Sequence, residues 1–149
     1  MNAGLFSIAE FFHSLLRWGV LITVAMAGLF ALRGYLRREP IIGWHRAVAM
    51  VAMVFCHLQL VVGALLYGLR FKTFQFMPPD QARFWKMEHL GMMIIAIVLV
   101  TIGHSTSKRA HDEQKKQLRI AVYYLIALLI FVVMIPWPFT ANGAGRGWL

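Results

Sequence analysis

Residues 47–69 read AVAMVAMVFCHLQLVVGALLYGL, a stretch with no Asp, Glu, Lys or Arg and with His57 near its middle. A helix rises about 1.5 Å per residue, so roughly 20 apolar residues cross the hydrocarbon of a bilayer. The stretch is long enough to do so and has nothing to offer water. Working outward, three further runs have the same character: about 11–32, 84–104 and 120–139. The first carries His13 and Arg17; the third carries Lys86, Glu88 and His89. The pattern predicts an all-α protein, a four-helix transmembrane bundle of up-down-up-down topology, with residues 1–149 forming one integral membrane domain.

Composition agrees. Of 149 residues, 60% are hydrophobic and 14% charged, where a soluble domain carries about a quarter charged residues. A single small core cannot hide that much apolar surface. A soluble enzyme and a disordered tail are both excluded on this ground. The lone Cys56 allows neither an intramolecular disulfide nor a four-cysteine zinc site, and no C-x-x-C-H segment is present for covalent haem. The net charge of +9 sits in short blocks between apolar runs and is not interleaved with stacking aromatics, so nucleic acid is not an expected partner. Membrane lipid is. Glu10 stands where a signal peptide would need basic residues, so no cleavable leader is expected.

Loop charges predict the orientation. Arg33, Arg37, Arg38 and Arg46 in the first loop and Lys108, Arg109, Lys115, Lys116 and Arg119 in the third make nine cations. The other side has five: Arg70, Lys72, Arg83, Lys86 and Arg146. The positive-inside rule then puts both termini outside, in what reads as a multi-pass protein of a bacterial inner membrane. Trp18, Trp85, Trp137 and Tyr67 fall at the outer boundary and Trp44 at the inner one, as an aromatic belt does. Asp80, after Pro78-Pro79, is the expected N-cap of the third helix. The tail with Gly143, Gly145 and Gly147 is expected to be irregular.

Chemistry points to the histidines. His45 and His111 lie with the cytoplasmic loops, and His104 reads as an interfacial residue at the inner end of its helix. His13, His57 and His89 fall in the outer half of the bundle. One intramembrane histidine is as well explained by a bond to a neighbouring carbonyl or Thr hydroxyl as by a site. Three converging on one half favour a site. Neutral imidazoles on facing helices are what b-type haem requires, one on each side of the iron. From the helical rise, His13 lies roughly 3 Å below the outer boundary, His89 roughly 6–8 Å and His57 about 15–18 Å. Depth matches His13 with His89; His57 with His89 stays open, and Gly63 and Ala64 leave room for a flat ligand beside the His57 helix. Arg17, one turn from His13, suits a haem propionate or a buried pair with Glu88, or simply reaches up to the headgroups. A metal ion without porphyrin is the rival ligand: His13, His57, His89 and Glu88 would suit Zn, Fe or Cu, with Met53 and Met93 within reach for copper.

The segments His13-Ser14-Leu15-Leu16-Arg17-Trp18, His57-Leu58-Gln59-Leu60-Val61-Val62-Gly63, Glu88-His89-Leu90-Gly91-Met92-Met93 and Ile135-Pro136-Trp137-Pro138-Phe139 resemble those of small four-span bacterial inner-membrane proteins commonly labelled cytochrome b-like. The resemblance covers most of the chain. It implies a compact four-helix membrane protein with inward histidines. The expected function is that of a membrane b-type cytochrome passing electrons between a quinone pool and a partner redox protein, without catalysis of its own. The alternatives are a structural or assembly subunit of a membrane complex and a metal-binding or metal-transport protein. The second loop, Phe71 to Pro79, is apolar enough either to fold into the headgroups or cap the bundle, or to serve as a docking face above the histidines, and docking is the expectation.

Overall fold

The computed structural model describes residues 3–144 and 148. Gly145 and Gly147 of the expected irregular tail lie outside them. Four long helices make up the chain: α1 (Ala3–Arg37), α2 (Gly43–Arg70), α3 (Pro79–Arg109) and α4 (Glu113–Met134). All four are long and apolar enough to cross a membrane, and no strand occurs among the described residues. The protein is an all-α bundle of membrane-spanning helices. Ile22, Leu29, Val61, Leu129 and Val133 stand exposed on its outer faces, where lipid satisfies them.

The helix ends have local causes. α1 begins earlier than expected and stops in a Schellman motif, with Glu39 N–H bonded to Gly34 O at 3.0 Å and Arg38 N–H to Tyr35 O at 3.3 Å. Arg38 takes the left-handed conformation usually left to glycine, φ 55°. α4 stops at Met134, short of the expected Phe139, because Pro136 and Pro138 lack N–H donors and disfavour helix in the residues before them. Asp112 caps α4 by accepting from Gln114 N–H at 3.0 Å. Asp80 is not the N-cap of α3. Pro78 holds that position, and Asp80 sits inside the first turn, where its charge opposes the helix dipole. The second turn of α3, Phe84–Glu88, is wound as a π-helix, so His89 N–H reaches back to Phe84 O.

Packing is uneven. α1 lies against both α2 and α4, and α3 against α4, whereas α2 and α3 touch far less. That pair is joined by the longest connection, residues 71–78, with a 3₁₀ turn at Thr73–Phe76. Toward the end that holds the first and third loops the bundle is closed by small residues: Ala27, Ala31, Ala49, Ala52, Ala121 and Ala127 are buried and let the backbones approach. At Gly103 a β-carbon would come within 2.6 Å of Tyr123 Cβ, so only glycine fits that crossing of α3 and α4. Tyr124 spans the closed half, its hydroxyl donating to Ala49 O at 2.7 Å. The opposite half, toward the chain termini and the second loop, is hollow.

Candidate functional site

The hollow is a cavity of about 500 Å³ lined from all four helices, in the size range of small-molecule and cofactor sites. Its walls are mostly apolar: Val20, Leu60, Leu66, Met93, Ile97 and Phe131 among them. Its polar groups are Ser7, Glu10, His13, Ser14 and Arg17 from α1, Gln59, Tyr67 and Arg70 from α2, and His89 from α3, with Arg70 paired to Glu10 at 3.5 Å.

His89 follows directly on the π-turn. Its Nδ1–H donates to Met134 O at 2.9 Å, on the last turn of α4. That bond fixes the neutral ring as the tautomer whose lone pair is on Nε2, and a carbonyl anchor of this kind is how ligating histidines are usually held. Trp85 and Phe84 pack beside the ring, with centroids at 5.5 and 5.9 Å. His13 stands against α2 where Gly63 has no side chain; a β-carbon there would lie 3.0 Å from His13 Cε1. The room that the sequence suggested beside α2 is thus used by the His13 ring. His13, Arg17 and His89 line the same cavity. His13 Nδ1 is buried with no hydrogen-bond partner.

Arg17 sits among indoles, its guanidinium carbon 5.6 Å from the Trp18 ring centroid and 5.8 Å from that of Trp137. Nη2 donates to Trp148 O at 2.6 Å, and Nε is buried without a partner. The expected pair with Glu88 does not form. Glu88 accepts instead from Arg83 Nε at 2.8 Å, one turn back along α3.

His57 is not part of the cavity. It is exposed on the flank where α2 faces α3, with Nδ1–H donating to Met53 O at 2.8 Å in its own helix. Nε2 lies 3.5 Å from Thr101 Oγ1, whose own proton goes to Ile97 O at 2.8 Å. The ring is thus held within its own helix, and its approach to Thr101 carries no shared proton. The neighbouring Cys56 turns inward and lines the cavity. Among the described residues no three His, Cys, Asp or Glu side chains are grouped as a metal ion would need them. The expected His13, His57, His89 and Glu88 set is not assembled, because His57 points away from the other two histidines and Glu88 is taken by Arg83. Of the remaining histidines, His45 stacks on Phe30 at 5.2 Å and His111 is exposed.

None of the family models, curated proteins or solved structures compared with this chain matches it.

Two features went unread in the sequence. Phe74, expected in an exposed docking loop, is buried over the cavity against Tyr67, centroids 5.4 Å apart, while Phe71 and Phe76 stay exposed. Gln59 reaches across to α1, its Nε2–H donating to His13 O at 2.8 Å. A carboxamide in the middle of a span was the signal available for it, since such groups seldom go unused in lipid.

Proposed function

We propose that the protein is a b-type cytochrome of a bacterial inner membrane, binding haem b non-covalently between His13 and His89. The observation that carries this reading is the placement of both imidazoles on one apolar cavity, with the His89 ring anchored through Nδ1 to Met134 O. Two further features fit the group. Gly63 clears space for the His13 ring, and Arg17 offers a buried unpaired Nε suited to a propionate. His57 is no longer a candidate ligand on this reading.

Bound there, haem supplies a one-electron couple. The chain does the rest. His13 and His89 would hold the group through their ring nitrogens. The apolar walls from Val20 to Phe131 would shield it, and Phe74 lines the end nearest the second loop. Electrons would pass between a membrane quinone and a partner protein at that end, which the loop charges place outside, with both termini.

An absorption spectrum of the detergent-purified protein tests the proposal. Split visible bands of low-spin iron and a Soret band that sharpens on reduction are expected. His13→Ala and His89→Ala should each abolish the low-spin signal, and His57→Ala should keep it. Protein that stays colourless after haem supplementation would sink the reading.

A further inference from the structure

At the contact of α1 with α2, two buried polar atoms lack hydrogen-bond partners: His13 Nδ1 and Gln59 Oε1. One can donate and the other accepts. They belong to residues already joined, since the Gln59 amide donates to His13 O at 2.8 Å. They also share a helix face. Gly63, one turn beyond Gln59 on α2, is the position against which the His13 ring rests, with a β-carbon there only 3.5 Å from Nδ1. Leaving a buried donor and a buried acceptor both unmade is costly, and pairing them satisfies the two at once.

We infer that Gln59 is a positioning residue for His13. Its Oε1 accepts the Nδ1–H proton, while Nε2–H holds the His13 carbonyl. The bond selects the tautomer with the lone pair on Nε2, as Met134 O does for His89. The two histidines of the cavity are then held alike, one by a backbone carbonyl and one by a carboxamide. A partner on the far nitrogen makes the imidazole a stronger base toward whatever it binds. The consequence for electron transfer rests on the haem reading above; the tautomer itself does not.

The decisive measurement is nitrogen NMR of protein labelled with ¹⁵N-histidine in lipid nanodiscs, the His13 signal assigned by its loss in His13→Ala. A single Nδ1–H tautomer is expected in the wild type, a mixture of tautomers in Gln59→Leu, and the wild-type tautomer again in Gln59→Glu, whose neutral carboxyl keeps both a donor and an acceptor. An Nε2–H tautomer in the wild type overturns the inference, as does a Gln59→Leu protein with unchanged His13 nitrogens. If Gln59→Leu fails to fold, the wild-type tautomer and Gln59→Glu still decide. With haem bound, Gln59→Leu should raise the midpoint potential and Gln59→Glu should restore it. Equal potentials in all three proteins overturn the inference, whereas a wild type that takes up no haem removes only the cytochrome reading and leaves the tautomer to decide the role of Gln59.

Discussion

Gly63 and His13 meet where α1 packs against α2 at the cavity. A methyl group at Gly63 would press on His13 Cε1 at 3.0 Å, and the ring, which has the cavity beside it, can yield by a few tenths of an ångström. Gly63→Ala is therefore expected to retain most of the ligand. Gly63→Val has no such escape and should turn the His13 ring away, giving at least a tenfold loss of haem occupancy with little change in helix content. Haem titration followed in the visible region, beside circular dichroism, checks both. His57 contrasts with this. Its one made bond is to Met53 O in its own helix, so His57→Ala is expected to leave the thermal midpoint and the ligand nearly unchanged.

Among the elements, the end of α1 and the crossing of α3 with α4 respond oppositely to small changes. Arg38 holds a left-handed conformation that costs a non-glycine residue about 1–2 kcal/mol. Arg38→Gly is expected to raise the thermal midpoint in detergent, and an unchanged or lowered midpoint would show that the side chain contributes more than its backbone costs. Gly103→Ala places a β-carbon against the Cβ of Tyr123, which cannot swing aside as a side-chain tip would. Overpacking of this kind costs about 1–3 kcal/mol, read as a lower midpoint in the same assay. The π-turn at Phe84–Glu88 matters for a different reason: it sets the angle at which His89 leaves α3, a helix that α2 touches little. Sequence periodicity could not reveal it, because a π-turn adds one residue to a turn without changing its apolar character.

For the molecule as a whole, the closed half is packed with small residues and the hollow half holds the proposed site. Small alanines and the Tyr124–Ala49 bond hold the closed end, and the separation of α2 from α3 opens the other. Phe74 covers that opening. Phe74→Ser is expected to speed haem loss to an acceptor such as apomyoglobin by at least tenfold, while Phe76→Ser, exposed and remote from the cavity wall, should leave the rate unchanged. Equal rates would show that Phe74 is not a lid. Topology is tested separately. A reporter active only in the cytoplasm, fused after the C-terminus, should be silent; strong activity would place the cavity on the cytoplasmic side.

Fold class was legible in the sequence because it depends on quantities that add along the chain. Apolar runs of spanning length, broken by short charged loops, admit only helices in a bilayer, since every backbone group must be satisfied within its own segment. The depths of His13 and His89 could be counted in the same way, from the rise per residue. What a side chain faces does not add along the chain. Whether His57 turned inward beside Cys56 or outward toward Thr101 depended on the rotation of α2 and its distance from α3. Whether Arg17 met Glu88 depended on Arg83 reaching Glu88 first, and on the indoles and the Trp148 carbonyl gathering at the guanidinium. Only the tertiary structure decided these, because a contact between helices is fixed by their relative rotation and spacing, which no single helix encodes.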